Sequence, residues 1–243
     1  MNKILVVVRK DLKETFQTKA FYANIGVAIF VIVMLSGGIG EVIGTMGETE
    51  ISAVQALLGS LAFMLSLMLT MLFCLYINAY TITMEKIKHS IESLLCTPLS
   101  LKQICLGKTL ALFLPSLLLS WFFTFVSIIG INQFFIAPEF GRFIIPGAAP
   151  LVAIVVIIPL ISFFISLLMV SLQLIITNIR WVNAAIMGAI FGVAFGLSPV
   201  LMFGPASWSI LFVSLGVAAI LALIAFLLFR RVTKERIVLS SKG

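Results

Sequence analysis

Charge is what this chain lacks. Charged residues are 10% of 243, with nine acidic side chains and one histidine, and hydrophobic residues are 62%. A soluble domain carries about a quarter charged and about half apolar residues, so the composition excludes that class and marks an all-α polytopic membrane protein. The six long apolar segments, 22–39, 54–80, 109–132, 151–176, 182–203 and 207–229, contain no Asp, Glu, Lys, Arg or His. Proton- and sodium-coupled carriers keep such groups at mid-membrane, so an ion gradient is excluded as the energy source. Enzyme motifs are missing too: there is no HExxH, no GxSxG and no intramembrane aspartate pair, and His89 has no evident nucleophile partner. The three cysteines, Cys74, Cys96 and Cys105, form no CxxC pair and have no histidine cluster near them, so they read as small apolar fillers and not as redox or metal ligands. No catalytic, cofactor-binding or metal residue is expected in this chain. The formal net charge of +7 comes from basic residues set between apolar runs, which points to anionic lipid headgroups and away from nucleic acid.

Each of the six segments approaches or exceeds the roughly 20 residues a helix needs to cross the hydrocarbon, and together they form a single transmembrane domain over 1–243. Residues 1–20 predict an interfacial amphipathic helix, with Ile4, Leu5, Val8, Leu12 and Phe16 on one stripe and Lys3, Arg9, Lys10, Lys13, Glu14 and Gln17 opposite. The apolar run from Ile4 to Val8 is too short for a cleavable leader. Lysine and arginine concentrate in that helix, the 81–108 loop, the Asn178–Arg180 turn and the 230–243 tail, while the Glu41–Glu50 loop is acidic. By the positive-inside rule both termini are cytoplasmic. Within the spans, Pro115 and Pro159 predict kinks unless neighbours satisfy the freed carbonyls. Gly188, Gly192 and Gly196 predict a close helix contact. Residues 199–205 read as a broken or re-entrant element, and the aromatic Gln133–Pro150 segment as a loop on the outer headgroup boundary.

The only long polar stretch away from the termini is 81–108. Its Gly107-Lys108-Thr109 ending resembles a phosphate-binding loop, but Lys102 stands where that motif needs its first glycine, and a membrane span follows. Nucleotide binding by this chain is excluded on that ground. Residues Glu85 to Leu95 fit an amphipathic helix with Ile87, Ile91, Leu94 and Leu95 on one face and Glu85, Lys88, His89 and Glu92 on the other. Pro98 ends that helix and Ser100 is placed to cap the next.

The run Glu85-Lys86-Ile87-Lys88-His89-Ser90-Ile91-Glu92-Ser93-Leu94-Leu95-Cys96-Thr97-Pro98-Leu99-Ser100, then Gln103-Ile104 and Gly107-Lys108, resembles the signature between the second and third spans of type-2 ABC transporter permeases. That pattern reads approximately E-R-E-x-G-T-L-E-x-L-L-x-T-P-x-S, then a short helix ending in G-K. Ile87 stands for its second acid and His89 for its glycine. The resemblance implies the membrane subunit of an ABC exporter of the ABCG-like type V fold, in the cell membrane, dimeric with a second permease copy. It implies separate ABC-type ATPase subunits that hold the ATP and Mg, and a coupling contact through Glu85, Lys86, Lys88, His89, Glu92, Thr97 and Pro98. The few polar or small positions within the spans that offer themselves as pathway lining are Ser66, Thr70, Asn78, Asn183, Gly188 and Gly192; ordinary helix packing is the competing account of each. A non-transporting membrane scaffold or sensor, and less readily a membrane-embedded enzyme, would carry the same spans.

Overall fold

The computed structural model describes residues 3–44, 51–87, 100–176, 184–190, 192–193 and 208–231, which are mostly helical with no strand among them. The elements are α1 (Lys3–Phe16), α2 (Lys19–Gly44), α3 (Ile51–Ile87), α4 (Leu101–Ile131), α5 (Ala137–Phe140), α6 (Ala148–Val152), α7 (Ile158–Ile175), α8 (184–190) and α9 (Ser209–Arg230). Two π turns, Asn132–Ile136 and Ala153–Ile157, join α4 to α5 and α6 to α7. Five stretches among the described residues are long and apolar enough to cross a bilayer: Phe21–Gly38, Ile51–Asn78, Leu101–Phe140, Ala148–Ile175 and Ser209–Arg230. Residues 199–205 and most of the 182–203 segment lie outside the described residues.

Burial separates a centre from a rim. The α3 span is 67% buried, whereas those of α2 and α9 are 17% and 28% buried, so α3 is central and the other two are peripheral. Tyr22, Phe30, Val33 and Met34 of α2, Phe122 and Phe125 of α4, and Phe212, Ile220 and Leu223 of α9 are all exposed. Such faces are stable against acyl chains, because lipid is as apolar as leucine. The core helices instead meet through small residues. Gly59 of α3 lies under Pro150 at the start of α6, where a Cβ would stand 2.7 Å from the proline Cγ.

Several boundaries differ from the sequence reading. The aromatic segment expected as a loop from Gln133 to Pro150 is helical through Phe140, because the π turn at Asn132–Ile136 absorbs Pro138 before the chain reverses at Gly141. Gly141 has φ 63°, the left-handed geometry that glycine adopts at little cost. Buried Asn132 holds this turn: its Nδ2 donates to the Ile128 carbonyl at 2.9 Å and its Oδ1 accepts from the Ile144 N–H at 2.8 Å. No break occurs at Pro115, which lies inside one continuous helix α4.

Pro159 is accommodated by an identifiable partner. In the second π turn the Ile158 N–H donates to the Ala153 carbonyl, five residues back, and Pro159 has no N–H to offer. The Ile154 carbonyl therefore has neither the Ile158 N–H it would accept in a regular α-helix nor a residue-159 N–H it would accept in a continued π turn. Trp121 Nε1 of α4 donates to it at 3.2 Å. A buried carbonyl is expensive to leave unmade in hydrocarbon, and the indole removes that cost while fastening α4 to the π turn.

Helix directions follow from shared clusters. Leu174 near the end of α7, Ala225 near the end of α9 and Cys105 near the start of α4 pack together. The π turn preceding α7 and helix α6 also touch α9, so α7 and α9 run side by side in the same direction. Helix α1 packs on α4 and, less extensively, on α3.

Candidate functional site

The helix ends around the polar stretch converge with α1 at one end of the bundle. Glu85 and Lys86 lie in the final turn of α3, which continues without a break from the second apolar segment to Ile87. Lys88, His89, Glu92, Thr97 and Pro98 lie outside the described residues, as do Cys96, Asn183 and Gly196. Ser100 provides the cap anticipated from the sequence. Ser100 Oγ accepts from the Gln103 N–H at 3.3 Å and Gln103 Oε1 accepts from the Ser100 N–H at 3.0 Å, a reciprocal capping box that starts α4 at Leu101.

Lys108, the residue that mimics a phosphate-loop lysine, is turned inward. Its Nζ lies 3.5 Å from Asp11 Oδ2 of α1, with side-chain exposures of 2% and 4%. A pair withdrawn from water on both sides is costly to break, so it fixes how α1 sits on α4. This corrects the expected orientation of α1. The buried side is Val7, Val8, Asp11 and Thr15, and Phe16, placed by periodicity on the apolar stripe, is 45% exposed and makes an edge contact with Phe21 at 4.9 Å. Helix α1 is thus fastened to the bundle by a polar contact as well as apolar ones. The periodicity reading placed Asp11 on neither face. The available signal was its position, four residues before Thr15 and three after Val8, opposite a lysine that opens an apolar run.

Beside this pair, α4 and α9 enclose a cleft of about 290 Å³ lined by Leu101, Lys102, Cys105, Phe226, Phe229 and Arg230. The Arg230 guanidinium lies 4.5 Å from the centre of the Phe226 ring, a cation–π contact. Toward mid-bundle, α3, α4 and α7 meet along a seam of hydroxyls and a thiol. Thr70 Oγ1 donates to Ser120 Oγ at 2.7 Å, Ser120 Oγ donates to the Ser66 carbonyl at 2.7 Å, and Cys74 Sγ lies 3.1 Å from Ser116 Oγ and 3.4 Å from Ser166 Oγ. Hydroxyls that bond across helices let backbones approach and satisfy one another where water is absent.

The sequence-nominated lining residues therefore fall in different places. Ser66, Thr70 and Asn78 are buried between helices at 0%, 2% and 2% exposure. The void beside Thr70 and Cys74 holds only about 10 Å³, too small for any solute. Gly188 and Gly192 are exposed, and a Cβ built on either meets no atom within 4 Å, so the close helix contact expected of them is not made to any described residue of this chain. Among the described residues no three His, Cys, Asp or Glu side chains converge on a point that could hold a metal.

Long apolar helices, lipid-facing rims and an ion-paired polar end define a multi-pass helical membrane protein. No protein-family model matches the chain, and no curated protein or solved structure matches it either.

Proposed function

We propose that the chain is the membrane subunit of an ATP-driven exporter of the type-2 ABC permease kind, acting as a dimer with separate ATP-binding subunits in the cell membrane. The observation that carries this reading is the resembling stretch Glu85–Lys108 held between two anchored helix ends. Its first residues continue α3, its last belong to α4, and Lys108 is ion-paired to Asp11 of α1. A displacement applied at Glu85, Lys86, Lys88, His89, Glu92, Thr97 or Pro98 is thereby transmitted to α1, α3 and α4 together. ATP and Mg belong to the partner subunits, and this chain supplies the lever and the wall.

Helix direction supports a reading with six crossings. Helices α7 and α9 run in the same direction, as two spans separated by one further crossing would. The apolar segment 182–203 is suited to that crossing, at roughly 1.5 Å per residue over about 20 residues. With six spans both termini lie on the lysine- and arginine-rich side, the cytoplasm by the positive-inside rule. The pathway lies between two copies: the void beside Thr70 holds only about 10 Å³, and the Gly188–Gly192 edge, which meets no described residue of this chain, is available to face it. Apolar walls suit a lipid, a hydrophobic peptide or an amphiphilic small molecule.

The test is charge reversal in the lever. In proteoliposomes containing the permease and its ATPase, Glu85→Lys and Glu92→Lys leave membrane insertion intact and abolish permease-dependent stimulation of ATP hydrolysis. Normal co-purification and normal transport by both variants would show that the coupling assignment is wrong.

A further inference from the structure

The cleft between α4 and α9 has the chemistry of a headgroup site. Its walls are the aliphatic and aromatic side chains of Leu101, Phe226 and Phe229, and among the described residues its charged lining is Lys102 and Arg230. Both cations are on exposed residues, and the Arg230 guanidinium carbon lies 4.5 Å from the centre of the Phe226 ring. Both contributing helices are apolar enough to span, and the cleft lies where one begins and the other ends, at the polar end of the spans where headgroups are expected. The first turn of α4, with peptide N–H groups beyond the reach of its capping box, adds partial positive charge at the same mouth. Apolar walls below two cations match a molecule with acyl chains below one anion.

We propose that this cleft binds one anionic glycerophospholipid, its phosphate between Lys102 and Arg230 and its upper acyl carbons against Phe226 and Phe229. The shared recognition chemistry is a phosphate ester, and the apolar walls commit the occupant to a lipid in preference to free phosphate. A site at this position ties the end of α9 to the start of α4, beside the Asp11–Lys108 pair. It goes beyond the transport reading and holds whether or not the chain transports anything.

The test uses native mass spectrometry of the full chain in detergent, with added phosphatidylglycerol or phosphatidylcholine of the same acyl composition. One phosphatidylglycerol is retained in preference to phosphatidylcholine. The double variant Lys102→Gln/Arg230→Gln lowers that preference by about 25-fold, at roughly fivefold per cation near a lipid surface. A matched variant, Arg9→Gln/Lys13→Gln, removes two exposed cations of α1 and leaves the preference unchanged. Phe226→Ala weakens retention of both lipids, and excess inorganic phosphate does not displace the bound phosphatidylglycerol. Equal retention of the two lipids, an unchanged preference in the Lys102/Arg230 variant, an equal loss in the Arg9/Lys13 variant, or displacement by inorganic phosphate would each overturn the proposal. Circular dichroism of every variant at wild-type helicity keeps a folding defect from passing as lost binding.

Discussion

At the scale of single residues, stability turns on one glycine and one buried ion pair that look unremarkable in the chain. Gly59 has no room for a methyl group, because a Cβ would stand 2.7 Å and 3.2 Å from two ring carbons of Pro150, and a proline ring cannot swing aside. Gly59→Ala is expected to lower stability by about 1–3 kcal/mol in denaturant titrations of the detergent-solubilised protein. Gly26→Ala, on the lipid-facing side of α2 with nothing within 4 Å, should be neutral or slightly stabilising. The ion pairs make a second contrast. Removing Lys108 or Asp11 singly should cost about 3 kcal/mol, because the remaining charge stays in a buried place. Lys10–Glu14 on the same helix, at 3.8 Å with both side chains 52% exposed, should contribute about 0.5 kcal/mol or less. A double replacement, Asp11→Asn with Lys108→Met, should recover much of the single-site loss in the same titration.

At the scale of elements, the prolines test whether helix irregularities have assigned partners. Trp121→Phe keeps an aromatic ring and removes the donor to the Ile154 carbonyl, at an expected cost of about 1 kcal/mol. Pro159→Ala restores a backbone N–H close to that carbonyl, so in the Pro159→Ala background Trp121→Phe should cost little. A double-mutant cycle on unfolding free energy measures the coupling, and additive losses would separate the indole from the proline. Sequence reading recognised that Pro159 needed a neighbour and could not name one. Trp121 stands 38 positions earlier in the chain, on a helix whose apolar pattern is the same on every side. At the third apolar segment it erred for a local reason. Phe134, Phe135 and Pro138 together imitate a loop, and only the five-residue hydrogen bonding of the π turn shows how helix continues past them. The Ser100 cap was legible because both of its partners lie within one turn of each other.

At the scale of the molecule, the expected arrangement is six crossings with both ends on one side. Reporter proteins that mature only in the cytoplasm, fused in turn before Met1 and after Gly243, should both be active. Activity at one end only would leave an odd number of crossings and remove the return through 182–203. The candidate site is legible to different depths at this scale. The Glu85–Lys108 stretch stands out in the sequence because it is polar between apolar runs, whereas the α4–α9 cleft does not, because its lining comes from positions 101–105 and 226–230 at opposite ends of the chain.

The sequence by itself determined the class of protein, the lengths of its apolar segments and the position of the helix start at Ser100, since bilayer thickness and capping chemistry act on contiguous residues. Tertiary structure alone decided which face of each helix turns inward. Against lipid and against another helix an apolar side chain has nearly the same free energy, so periodicity cannot choose between them. The choice falls to sparse long-range partners: Asp11 with Lys108, Trp121 with the Ile154 carbonyl, Thr70 with Ser120, and Gly59 beneath Pro150.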